Sequence, residues 1–244
     1  MRLSYTNVKT FRDCPKKYQF KYIQHLPEPE GEELQIGIVG HKVLEGYYSN
    51  DPIARSQMVL ESLLDGIEKV EPAIRQKVKE SLEGYHEWAE VQDKGIKIVQ
   101  AEREINIQVG DYLFNGKIDA VAELNGQPIL LEHKFKGQWG PDVAEQFQFD
   151  EQNKGYSLAT GCRQVLYNLI RTKPAKTRPR FERVHILVPE SETTRFADDL
   201  GLWGNKIEEA KRNNQFPRNR GYGCRFCPFV APCYGLSVKE VTND

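Results

Sequence analysis

Residues 114–136, FNGKIDAVAELNGQPILLEHKFK, decide the fold. Asn125-Gly126 supplies the two positive-φ residues of a tight type I′ turn, and apolar residues recur on both sides of it, so the stretch reads as a β-hairpin. With a two-residue turn, Leu124 stands opposite Gln127, and counting back along both strands sets Asp119 opposite Glu132. Directly opposed residues have Cβ atoms roughly 4.5–5.5 Å apart, so two carboxylates there repel unless something cationic lies between them. A divalent metal ion is the obvious candidate. Lys134 shares the face of Glu132. Ala120, Ala122, Leu124, Ile129, Leu131 and Phe135 supply the opposite face, so each strand is expected to have a charged wet side and a packed dry side. The same register sets Lys117 opposite Lys134, and the strands are expected to splay or bulge at that end. Taken alone, the stretch fits a surface hairpin of mixed charge equally well.

At 244 residues the chain can bury a substantial core, as one large domain or one domain with an appendage. A net charge of −1 excludes a uniformly basic nucleic-acid binder, so affinity for phosphate must come from local patches. The start, MRLSYTNVKTFRDC, lacks an apolar signal core, and no apolar run reaches membrane-spanning length. The expected setting is intracellular, cytoplasmic and reducing, without a membrane partner. There, clustered cysteines are metal ligands rather than disulfides.

In residues 1–26, Ser4 or Thr6 is a possible cap for a short helix ending at Cys14-Pro15. The following KKYQFKY could bind a nucleic-acid strand by charge and stacking, but lysines laid over a packed aromatic face are commoner. PEPEGEE, 27–33, is an acidic loop. A helix over 35–49 carries His41 beside its apolar stripe, ordinarily the place of a hydrogen-bonded core histidine. Helices continue through 53–92, broken near Glu71-Pro72, with Val59, Leu63 and Ile67 and then Ile74, Val78 and Leu82 as buried stripes. Residues 96–109 alternate as a strand beside the hairpin, and Glu102 or Glu104 on it could approach the metal, although a solvated face is the commoner case. One helix is expected from Asp142 towards Thr160, with Gln152 and Tyr156 sharing a face. A second short helix is expected over 162–170, holding Cys162 as a small buried hydrophobe. The basic run 171–183 reads as an exposed loop, 181–189 as a strand, and 191–213 as an amphipathic helix. The order gives a mixed sheet with helical packing.

Cys224, Cys227 and Cys233 fall within ten residues, a strong metal signal. The fourth thiolate is Cys14 or Cys162, and Cys14 is the better choice because it precedes a proline at an element boundary. Four thiolates suit structural zinc or an iron-sulfur cluster, and spacing alone does not choose between them. Closure would join the two ends of the chain and couple metal binding to folding.

His41 after a glycine, Asp119 with Glu132-x-Lys134, and Gln152-x3-Tyr156 together resemble the RecB-type nucleases of the PD-(D/E)XK superfamily. The cysteines resemble those of its 4Fe-4S subset, which includes CRISPR-associated iron-sulfur exonucleases and AddB-type nuclease domains. The resemblance spans residues 4–235 and implies an α/β restriction-endonuclease-like mixed sheet flanked by helices, as one nuclease domain over 1–244. In it, 1–26 and 214–235 form the cluster clasp, 35–92 the helical part and 96–213 the nuclease core. It implies His41, Asp119, Glu132 and the backbone carbonyl of His133 as ligands of Mg²⁺ or Mn²⁺, and Lys134 as the catalytic lysine. Gln152 and Tyr156 would lie near the DNA, and Cys14, Cys224, Cys227 and Cys233 would hold a 4Fe-4S cluster, with zinc as the alternative. The implied activity is a deoxyribonuclease, an exonuclease on single strands or DNA ends, in recombination, repair or CRISPR adaptation. Helicase or adaptation proteins are the implied partners, and no phosphate loop of a helicase lies in this chain. The competing expectation is a non-catalytic DNA-end-binding or zinc-stabilised interaction module.

Overall fold

The computed structural model describes residues 1–29, 31–50, 54–55, 60–173 and 178–236. Val59, expected in a buried stripe, and residues 174–177 of the basic loop lie outside these. The chain divides into two compact units, a smaller one of residues 1–30, 106–115 and 195–244, and a larger one of 31–105 and 116–194.

In the smaller unit, β1 (Arg2–Leu3) pairs in parallel with Leu113 and Phe114. Ser4 caps α1 (Tyr5–Asp13), exchanging hydrogen bonds with Asn7 in a capping box. After α2 (Pro15–Tyr18) the chain continues as a wider turn to Ile23. Tyr18 and Phe20 are buried there, with Lys16 over the Phe20 ring at 4.9 Å, so KKYQFKY is a packing segment covered by lysine stems.

The larger unit begins with α3 (Glu32–Tyr48), whose first-turn glutamates complement the helix dipole. α4 (Leu60–Asp65), α5 (Pro72–Leu82) and α6 (Tyr85–Gln92) follow. The strands are β2 (Ile96–Val109), β3 (Tyr112–Leu124) and β4 (Gln127–Lys136). The helix expected over 142–160 is instead two, α7 (Val143–Gln148) and α8 (Glu151–Thr160), because Asp150 turns its carboxylate onto the Gln152 amide and caps a new start. The expected helix over 162–170 is a strand, β5 (Gln164–Arg171), parallel to β4. It has neighbours on both edges and burial on both faces, and such strands lose the alternation that identifies them in sequence. Next come β6 (Phe181–Leu187) and α9 (Glu190–Asn213), which begins in the larger unit and ends in the smaller. The sheet is six-stranded and mixed, in the order β1-β3-β4-β5-β6, with β2 also on β3.

The hairpin register is the one counted from the turn. Asn125 and Gly126 have φ of 51° and 81°, Leu124 faces Gln127, and Ala120 faces Leu131. Ala120, Ala122, Ile129 and Leu131 pack against α3, α5 and α6. The other face is not wet as expected: Leu130 is fully buried and Glu132 only 2% exposed. Gly40 makes the packing of α3 on β4 possible, since a Cβ there would lie 2.3 Å from the Phe135 ring.

Gly40→Ala should therefore destabilise the protein by about 1–3 kcal/mol through overpacking, lowering Tm by about 2–4 °C per kcal/mol. Adding Phe135→Leu should recover much of that loss in a thermal melt.

Candidate active site

Four elements of the larger unit converge at the open end of the hairpin: α3 brings His41, β3 brings Lys117 and Asp119, β4 brings Glu132 and Lys134, and α8 brings Gln152 and Tyr156. The register that sets Ala120 against Leu131 makes Asp119 and Glu132 the next pair. There the carboxylates reach across to backbone amides. The Asp119 N–H donates to Glu132 Oε1 at 3.3 Å, and the His133 N–H donates to Asp119 Oδ2 at 2.7 Å. The paired register of the two strands runs from the turn to Ala120 and Leu131, short of Lys117 and Lys134.

Each carboxylate uses its second oxygen differently. Asp119 Oδ1 lies 2.9 Å from His41 Nδ1, and Glu132 Oε2 lies 3.6 Å from Lys134 Nζ. Burial raises the Glu132 carboxyl well above its ordinary range, and the Asp119 charge adds to this against Lys134. Burial acts on Asp119 in the same sense, but the His41 charge and hydrogen bond, with the charge of Lys134, outweigh it and hold Asp119 low. Two acids so placed cannot both shed their protons without more positive charge. A hard divalent cation fits this demand and this oxygen-rich donor set. Among the described residues, no three His, Cys, Asp or Glu side chains are already disposed around one ion. The carboxylate oxygens are engaged by the amides, His41 and Lys134, which a cation would have to displace in part.

His133 points away from this pair. It is buried and stacked on Tyr48 at 5.0 Å, and burial pushes its imidazole down to about 3, so it stays neutral. Its backbone, rather than its ring, belongs to the site.

Gln152 and Tyr156 face inward. Gln152 Oε1 accepts from Lys134 Nζ at 3.1 Å, Gln152 Nε2 donates to the Tyr156 hydroxyl at 2.6 Å, and that hydroxyl donates to the Lys117 carbonyl at 2.6 Å. Tyr156 is 4% exposed. The pair therefore forms a chain of hydrogen bonds from the backbone of β3 to the ammonium of Lys134.

Two residues carried weaker sequence signals. In sequence Lys117 signals only a repulsion with Lys134, yet its ammonium pairs with Glu102 of β2. Glu102 itself sits at φ 52°, in the left-handed region unusual for a non-glycine residue, as at a bulge. That turn brings Glu102 to a cleft of about 530 Å³, also lined by His41, Asp119, Lys117 and Lys134.

In the smaller unit, Cys14, Cys224, Cys227 and Cys233 line one pocket together with Lys16, Lys17, Arg218 and Arg220. All four are free thiols. Burial raises the Cys227 thiol, and the neighbouring Cys14 and Cys233 add to the rise. The terminal segments meet through Lys16 N–H on the Pro217 carbonyl at 3.1 Å and the Asn219 amide on the Asp13 carbonyl at 2.9 Å. Cys162 belongs to the larger unit and is buried, as a small hydrophobe should be.

A model of the PD-(D/E)XK nuclease superfamily matches residues 2–234. No curated protein matches the sequence. Among solved structures, a candidate exonuclease from Eubacterium rectale is similar over 99% of this chain and 93% of its own, with 13% identity and a TM-score of 0.57. The protein SSO0001 aligns over 97% of this chain and 87% of its own, with 15% identity and a TM-score of 0.47. An alkaline exonuclease from Laribacter hongkongensis aligns over 72% of this chain and 91% of its own, at 14% identity and a TM-score of 0.33.

Tyr156→Phe removes the donor to the Lys117 carbonyl and the acceptor for Gln152, and should cost about 1–3 kcal/mol. A lowered Tm with an unchanged circular dichroism spectrum is the expected result.

Proposed function

Because the chain belongs to the PD-(D/E)XK nuclease superfamily, we propose that it is a metal-dependent exonuclease hydrolysing DNA phosphodiesters on single strands or at DNA ends, with a structural 4Fe-4S cluster in its smaller unit. The observation that carries the reading is half-buried Asp119 beside buried Glu132, interlocked through backbone amides next to Lys134, with Asp119 and Lys134 lining a cleft.

Asp119, Glu132, His41 and the backbone carbonyl of His133 would hold Mg²⁺ or Mn²⁺. When bound, the ion supplies positive charge to the scissile phosphate and acidifies nearby water. Lys134 offers hydrogen-bond donors to the phosphate or to the attacking water. Gln152 takes one of those donors and so fixes where the ammonium points, with Tyr156 anchoring Gln152 in turn. Their role is positioning rather than direct contact with DNA, because Tyr156 is buried and its hydroxyl already serves two partners. On this reading the pair acts through Lys134, a different role from the DNA contact that the resemblance implies.

The cluster reading is supported by four free thiols around one pocket whose remaining walls carry four cations, a setting suited to an anionic iron-thiolate group. The group would supply a crosslink and no chemistry to the reaction. Free thiols in this number also fit a reducing, cytoplasmic setting. Such an activity serves recombination, repair or CRISPR adaptation, with helicase or adaptation proteins as partners.

Lys134→Ala protein should fold but cleave end-labelled single-stranded DNA in Mg²⁺ or Mn²⁺ about 10²–10³-fold more slowly than the parent. Cleavage at the parental rate would remove Lys134 from the mechanism. Aerobically purified protein should be brown and contain iron, and Cys14→Ser should lower both iron content and Tm. A colourless, folded sample with stoichiometric zinc would assign the thiolates to zinc instead.

A further inference from the structure

A second basic site lies in the larger unit, at the end of β5. Arg171, Thr172, Lys173, Arg178 and Arg180, with Ser81 and Glu80 of α5, line a pocket of about 120 Å³. Arg171 is only 6% exposed. Its guanidinium stacks 3.9 Å above the Trp139 ring and its Nε donates to the Pro179 carbonyl at 3.2 Å. Its Nη2 is buried and has no hydrogen-bond partner among the described residues. A buried donor without an acceptor costs free energy, and the fork of an arginine is shaped for the oxygens of a phosphate. Burial and the nearby Arg178 both push the Arg171 guanidinium down from its ordinary value, as crowding of like charges requires.

Glu182, held by the Trp139 N–H, offsets part of the Arg171 charge, and the carboxylates on the other cations are exchangeable. Lys173 pairs with Glu33 at 2.7 Å and Arg180 with Glu83 at 2.9 Å, both at exposed positions where such pairs contribute little. Glu33 also lines the catalytic cleft, so the two sites adjoin. Arg171 is in register with Lys136, two residues beyond Lys134 on the adjacent strand, a separation of about 8 Å from strand geometry.

We propose that this pocket binds a non-scissile backbone phosphate of the DNA strand being cut, tethering it beside the catalytic cleft. The identity of the strand rests on the nuclease reading above; the phosphate chemistry rests on the pocket. Lys173 and Arg178 are exposed, so the Lys173→Ala/Arg178→Ala protein should keep its fold. Its affinity for a long fluorescent single-stranded oligonucleotide, measured by anisotropy without divalent metal, should fall about tenfold, with the salt slope smaller by about 1 for each phosphate no longer neutralised. Arg171→Lys, which keeps the charge and loses the fork, should also weaken binding. Neutralising one internal phosphate as a methylphosphonate should cost the parent affinity and leave the double variant unaffected.

Unchanged affinity and salt slope in the double variant would overturn the proposal. A loss reproduced only by removing a terminal phosphate would overturn the backbone assignment. Binding is read without cleavage, so its outcome stands whether or not the chain proves to cut DNA. In the cleaving enzyme, hydrolysis of a thymidine dinucleotide, too short to reach the pocket, should proceed at the parental rate in the double variant.

Discussion

Two carboxylates side by side in the sheet, Glu132 buried and Asp119 half-buried, are the constraint on which the larger unit depends. Asp119 and Glu132 lie one step beyond the last residues of the hairpin ladder, Ala120 and Leu131, and each accepts a peptide N–H. An unpaired anion at such a depth is costly, so the neighbouring elements supply hydrogen-bond donors and positive charge. α3 delivers His41 to one acid and Lys134 stands against the other. Asp119, Glu132, Lys134, Gln152 and Tyr156 are thus each held by two partners, the preorganisation that charge stabilisation requires.

That arrangement reaches back into packing. α3 approaches β4 closely because position 40 has no side chain to meet the ring of Phe135, and the next residue on the helix is His41. α8 lies across the opposite face of the hairpin strands and reads out as a hydrogen-bond relay from Lys117 through Tyr156 and Gln152 to Lys134. β2 contributes through one residue in an uncommon backbone conformation, Glu102, whose partner Lys117 would otherwise stand across from Lys134. The repulsion foreseen between two lysines is resolved by turning one of them aside.

The smaller unit poses a different problem. It is assembled from three separate stretches of chain, so forming it closes long loops before its own contacts repay the entropy. Its core rests on a few aromatic and aliphatic groups, among them Phe114 against Phe196 and Phe20 against Phe229. A crosslink between Cys14 and the C-terminal cysteines would offset that closure cost at the place where the terminal segments already meet.

Short-range signals were legible. The Asn125-Gly126 turn fixed the register, and the register alone aligned Asp119 with Glu132, since a slip of one residue would have moved every side chain to the wrong face. The capping residue Ser4 and the long helix 190–213 were likewise local matters. β5 resembles a helix in sequence because Val165, Leu166, Tyr167, Leu169 and Ile170 are all buried, and a strand buried on both faces has no period to find. The alternation of the hairpin places Glu132 on a wet face for a related reason: exposure depends on which elements cover the sheet. By itself, then, the sequence determined the hairpin, its register and the residue types gathered at its end. Only the tertiary structure decided which of those residues are buried, that Tyr156 turns inward to hold Gln152, and that Arg171 reaches a shared pocket, because these depend on contacts between segments far apart in the chain, which no local pattern encodes.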